Sequence, residues 1–161
     1  MTTLDEAIRK LDQGELEEGQ RILEQLRREE PENPVVLYNL GMCYSEQGKL
    51  ESSIEVLEKC VELAPDYTNA YAALGYSYAR VGQTEKAIEV LEKAREQDPN
   101  NAFVLKNLGS VYGNMGRLEE AIECFEHALE IQPESPEVLY GLAYAYERAG
   151  HSVDADTVYS R

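Results

Sequence analysis

No stretch of this sequence approaches the roughly 18–20 consecutive apolar residues of a membrane-spanning helix, and its opening, MTTLDEAIRKLDQGELEEG, holds no apolar run of signal-peptide length. A cytoplasmic address is the expectation. Bases are scarce: 15 Lys and Arg stand against 31 Asp and Glu, a formal net charge of −16, which repels phosphate backbones and anionic lipid headgroups at long range. Neither nucleic acid nor a membrane surface is an expected partner. Cysteine is limited to Cys43, Cys60 and Cys124, an odd number set in apolar helical patterns, so reduced thiols are expected in place of a disulfide framework.

Catalytic chemistry is equally sparse. His127 and His151 are the two histidines, and no Cys or His pair has zinc-ligand spacing. Cys124 and His127 are three apart, the spacing of a thiolate and its base on one helix face. No third orienting group accompanies them, and the column they occupy reads as outward, an ordinary surface pair. Glutamates are abundant, but on exposed helix faces nothing tunes their pKa values for acid–base work. No phosphate-cradling GxxxxGKS or GxxxxGKT occurs. The chain is expected to be no enzyme, and to hold no metal and no cofactor.

What the sequence has in quantity is periodicity. Gly14, Gly48, Gly82, Gly116 and Gly150 recur every 34 residues, as do Pro31, Pro65, Pro99 and Pro133. Leu40, Leu74, Leu108 and Leu142 keep the same interval, and so do Gly41, Gly75, Gly109 with Ala143, and Tyr44, Tyr78, Tyr112 and Tyr146. A fixed period of this length is the signature of a repeat array. Hydrophobic residues make up 43% of the chain, enough for a continuous core.

Apolar residues step by three and four on both sides of the glycine column, so each period resolves into two helices, A and B. In the third period Tyr71, Leu74, Gly75 and Tyr78 form one stripe of helix A, and Ala87, Ile88, Leu91 and Ala94 one stripe of helix B. Gly82 falls where a left-handed C-terminal cap follows helix A. Glu85, and Glu119 with Glu120 one period on, suit the positive end of the helix B dipole, and Pro99 ends helix B. Gly41, Gly75 and Gly109 sit inside A helices, where glycine costs about 0.5–1 kcal/mol. Close approach of a neighbouring helix backbone is the expected reason, with the small residues Ala87, Ala121 and Ala155 on the facing surface.

The spacing Leu108, Gly109, Tyr112, Gly116, Ala121, Phe125, Ala128, Pro133 resembles the tetratricopeptide repeat family. That resemblance implies an all-α, right-handed superhelical solenoid of stacked helix-turn-helix units: about four full repeats plus a partial fifth, forming a single domain over 1–161. The repeats run approximately 1–33, 34–67, 68–101, 102–135 and 136–161. The first is the most divergent, with Glu6, Lys10 and Gly19 in the leucine, tyrosine and alanine columns, as a polar end cap would be. The last stops within its helix B. Val153, Val158 and Tyr159 there are expected either to leave an apolar strip for self-association through the C-terminal end, or to mark a piece of a longer protein.

Charge is distributed unevenly. The A helices, taken as 34–47, 68–81, 102–115 and 136–149, carry Glu46, Glu137 and Glu147 against Arg80, Lys106 and Arg148. The entire net charge therefore lies on the remaining segments. By the resemblance, A helices line the inner, concave wall. Tyr38, Tyr76, Phe103, Tyr140 and Tyr144 fall on the ligand-facing side of those helices, with Asn39 and Asn107 able to bond peptide groups and Arg80, Arg148 and Lys106 able to meet an acidic group. These ten residues are the expected partner-binding groove, although the same rings also fit packing of one helix A on the next. The carboxylate clamp of some family members does not transfer, since Leu4, Ile8, Asn69 and Ala73 stand where cations and asparagine are required. The expected function is a non-catalytic adaptor or scaffold that takes a peptide or helix of a partner protein. The alternatives are a recruitment domain of a larger enzyme complex and a small acidic secretion-type chaperone.

Overall fold

A computed structural model describes residues 3–160 of the chain. Among them there are ten α-helices and no strands, and none of the helices is long and apolar enough to cross a membrane. The helices group into two compact units, one running to Gln83 and the other starting at Thr84. The first holds α1 (Leu4–Asp12), α2 (Leu16–Glu29), α3 (Pro34–Glu46), α4 (Leu50–Leu63) and α5 (Thr68–Arg80). The second holds α6 (Thr84–Gln97), α7 (Ala102–Asn114), α8 (Leu118–Ile131), α9 (Pro136–Arg148) and α10 (Ser152–Tyr159). The boundary thus falls inside the third sequence period.

Within each unit every helix packs on the next, and helices of the A type also touch side by side: α3 on α1 and α5 in the first unit, α7 on α9 in the second. The sequence dictates where each helix stops. Gly14, Gly48, Gly82, Gly116 and Gly150 all have positive φ, between 73° and 83°, and the amide after each glycine bonds back five residues, as Lys49 N to Tyr44 O at 2.8 Å and Arg117 N to Tyr112 O at 2.9 Å. This is the Schellman closure, which satisfies carbonyls left over at the helix end. The A helices end one residue earlier than the sequence pattern implies, because Gln47, Val81, Met115 and Ala149 serve as C-caps. At their starts, Asn33 and Asn101 accept backbone N–H bonds from Val35 and Val104 at 3.0 and 3.2 Å.

The core of each unit is the repeating apolar stripe. Leu40, Leu57 and Leu23 are buried in the first, and Leu108, Phe125 and Leu142 in the second. The mid-helix glycines are crowded, but the expectation of backbone against backbone is corrected. A Cβ on Gly41 would lie 2.5 Å from Leu57 Cγ, and one on Gly109 2.8 Å from the Phe125 ring. The obstacle is a large side chain of the paired B helix. Alanine replaces the glycine at Ala143 in the last hairpin, where the corresponding B-helix residue, Tyr159, is half exposed.

A second ladder accompanies the core. The hydroxyls of Tyr44, Tyr78, Tyr112 and Tyr146 donate to Glu24, Glu58, Glu92 and Glu126, each 20 residues earlier on the preceding B helix. These glutamates form their own 34-residue column. Burial, then the adjoining carboxylate, pushes the Tyr112 and Tyr146 phenols up to about 12. Lys49, Arg117 and His151, placed by the Schellman turns, lie over the rings of Tyr44, Tyr112 and Tyr146 at 5.9, 4.4 and 5.9 Å. In the divergent first hairpin Lys10 instead pairs with Glu15 at 2.7 Å.

Candidate functional site

In the second unit the side-by-side packing of α7 and α9 leaves a cavity of about 490 Å³. Gly109, Ser110 and Gly113 line it from α7, Tyr140, Gly141 and Tyr144 from α9, and Phe125 reaches it from α8. Tyr140 is 66% exposed and Tyr144 42%. The Phe125 ring is wedged between two helices that lack side chains opposite it, since Cβ atoms on Gly109 and Gly141 would come within 2.8 and 2.6 Å of the ring.

Cations sit over the aromatic rings of this face. Lys106 Nζ is 5.3 Å from the Phe103 centroid, and the Arg148 guanidinium is 5.6 Å from that of Tyr144. Arg148 Nη1 also donates to the Gly113 carbonyl at 2.8 Å, tying the end of α9 to α7 beside the cavity. Glu137 lines the same space. Bonds from its own backbone N–H and from the Ser135 hydroxyl, with the Lys106 charge nearby, hold its carboxyl below the usual range.

The first unit disposes its share of the expected residues differently. Tyr76 is half-buried under Arg80, whose Cζ is 5.5 Å from the ring and which also donates to the Tyr76 hydroxyl. Tyr38 packs on Tyr67, centroids 5.0 Å apart and tilted by 41°, so here the packing role of the ring is the one observed. Asn39 turns its amide back on the Val35 carbonyl at 2.8 Å.

Two sequence expectations are corrected. Asn107 is only 6% exposed, and its Nδ2 has no hydrogen-bond partner among the described residues, so its amide is withdrawn from the face it was expected to serve. Cys124 is buried, not outward, and burial pushes its thiol up to about 11. His127 beside it bonds Asn100 Oδ1 at 3.1 Å, away from the thiol. Sequence reasoning also missed Gly113, Gly141 and Ser110. The signal was present: both glycines fall outside the punctuating columns, Gly113 where Ser45, Ala79 and Glu147 stand and Gly141 where Asn39, Ala73 and Asn107 stand.

Comparison with solved structures finds similar folds in MamA proteins. "Crystal structure of MamA protein" matches with TM-score 0.82 and 27% identity over 98% of this chain and 86% of that one. "MamA MSR-1 C2" matches at 0.77 and 31% over 97% and 90%, and MamA 41-end from Desulfovibrio magneticus RS-1 at 0.83 and 26% over 96% and 87%. None of the curated proteins matches the chain by sequence. Tetratricopeptide repeat models match residues 10–75 and 46–111, 102–135 and 124–157. With the 34-residue register, the glycine-capped hairpins and these matches in agreement, the chain belongs to the tetratricopeptide repeat family.

Proposed function

We propose that this chain, a protein-interaction scaffold by its family and fold, receives a peptide or helix of a partner protein on the exposed face of its A helices and does no chemistry on it. The observation that carries the reading is the pair Tyr140 and Tyr144, at 66% and 42% exposure, lining the α7–α9 cavity from α9. Exposed aromatics supply large contact area at small entropic cost and dominate interface energetics. In the second unit the A helices α7 and α9 balance Glu137 and Glu147 against Lys106 and Arg148, so a partner meets a neutral face there on an otherwise acidic protein. The three cysteines are buried and free of disulfides, as suits a reducing compartment such as the cytoplasm. The test is affinity capture from native lysate with the wild type beside a Tyr140→Ala/Tyr144→Ala variant. The variant is expected to lose the main captured protein; recovery of the same proteins in the same amounts overturns the reading.

Self-association through the C-terminal end is a second reading, favoured by one feature. Val153 and Tyr159 are 76% and 52% exposed, and Tyr159 lines a cavity of about 620 Å³ with Pro133, Leu139, Tyr140 and Val158. A protein that sediments as a monomer across the micromolar range counts against it.

A further inference from the structure

We infer that the α7–α9 cavity is a specificity pocket, one that takes a single large apolar side chain of the bound peptide while Arg148 meets a neighbouring carboxylate; this rests on the interaction reading above. The argument begins with the glycines. A glycine inside a helix is destabilising unless something requires it. Gly141 is required by the Phe125 ring, but a Cβ on Gly113 would meet only Ala121 Cβ at 3.7 Å, an ordinary contact. Packing does not demand glycine at 113, and a large side chain there would occupy the cavity that Gly113 lines.

The same three-helix arrangement occurs 68 residues earlier, in α3, α4 and α5, and there the corresponding positions are filled. Met42 stands where Ser110 does, Ser45 where Gly113 does and Ala73 where Gly141 does, with Leu57 in the place of Phe125 and Ala72 in that of Tyr140. Along the seam, side-chain bulk is removed at three positions in the second unit, and aromatic surface is added at the other two. All five of these second-unit residues line one cavity. Drift in a repeat array scatters over the surface; this set converges.

The chemistry of the walls selects the guest. Phe125, Gly109, Gly141 and Ala145 present apolar surface, Tyr140 and Tyr144 rim it, and Ser110, Asn114 and Glu137 complete the wall, so an uncharged side chain of leucine, methionine or phenylalanine size is favoured over an acidic one. Arg148 sits at the mouth, over Tyr144 and bonded to the Gly113 carbonyl, and forms no ion pair among the described residues. Lys106, by contrast, already faces Glu137. The unanswered charge at the rim is therefore cationic and local, and its complement is a carboxylate one or two positions from the inserted side chain.

The experiment selects random displayed peptides on the wild-type protein and measures binding of the enriched peptides to Gly113→Leu, Gly113→Ala, Arg148→Gln and Tyr140→Ala/Tyr144→Ala. Leucine at 113 fills the cavity from its wall and is a better helix former than glycine, and a thermal melt by circular dichroism confirms that the variant folds. The expected result is a shared large apolar residue with Asp or Glu beside it, and binding to Gly113→Leu weaker by about ten-fold or more, as loss of one buried anchor implies. Gly113→Ala stays within about two-fold, and Arg148→Gln weakens only the acid-bearing peptides. Peptides that lose binding on removal of the two tyrosines but not on Gly113→Leu overturn the pocket and leave the face standing. No enrichment, or equal binding to every variant, overturns both.

Discussion

The seam of α3, α4 and α5 and the seam of α7, α8 and α9 are built from the same register 68 residues apart, yet they solve the problem of joining two A helices in different ways. The first closes with a buried polar contact: Ser53 Oγ lies 3.0 Å from Ser77 Oγ, while Ser53 bonds the Gly41 carbonyl at 2.8 Å and Ser77 that of Ala73 at 3.1 Å. The second has Ala121 and Ala145 at the matching positions and inserts an aromatic wedge, Phe125, between Gly109 and Gly141. A buried hydroxyl pair fixes register and tolerates no gap beside it. The Phe125 ring fills the gap between the two glycines, and the cavity opens beside it, lined by Ser110, Gly113, Tyr140 and Tyr144.

The contrast is broken most severely by removing the wedge. Phe125→Ala is expected to cost about 3–5 kcal/mol in urea unfolding followed by circular dichroism, against about 2–5 kcal/mol for Leu57→Ala. A loss below about 1 kcal/mol for Phe125→Ala would mean that the ring does not hold α7 to α9. Next in size is the hydroxyl pair. Ser53→Ala alone is expected to cost about 1–3 kcal/mol, since it strips the Gly41 carbonyl and one partner of Ser77, whereas Ser53→Ala/Ser77→Ala, which copies the second unit, recovers part of that loss. Equal, additive losses in a double-mutant cycle would show that the two hydroxyls act independently.

The most diffuse effect is a pH drift. Burial holds the thiols of Cys43, Cys60 and Cys124 at about 11, from an ordinary value near 9, and Tyr112 and Tyr146 at about 12, from near 10. The folded protein keeps these protons more tightly than the unfolded chain. Their contribution to stability is complete below pH ~9 and is lost as the pH climbs through the folded values. The melting temperature is expected to fall between about pH 9 and 12, and Tyr112→Phe/Tyr146→Phe to flatten the upper part of that fall. An identical profile in the variant would remove the tyrosines from the account.

Much of the fold was legible because its determinants are local. A glycine at positive φ, a proline that cannot continue a ladder and an apolar stripe at helical spacing each act within a few residues, and a constant period multiplies the signal. The Tyr–Glu ladder was half legible: the tyrosine column was clear, but the glutamate column looked like ordinary surface acidity until the hydroxyls were seen to reach it. The candidate site was legible only in outline. Tyr140, Tyr144, Lys106 and Arg148 gather on one face, while Tyr38 is taken up by Tyr67 and Asn107 is buried. Whether a ring at a given column packs or is exposed depends on a neighbour beyond its own helix.

The sequence by itself determined the helices, their ends, the pairing of A with B helices within each unit, and the confinement of net charge to segments outside the later A helices, because these follow from backbone conformation and from short spacings along the chain. Only the tertiary structure decided that the mid-helix glycines answer to Leu57 and Phe125, that Cys124 points inward, and that a cavity opens between α7 and α9. Those outcomes depend on side-chain volumes meeting across helices, a quantity that no single position in the chain carries.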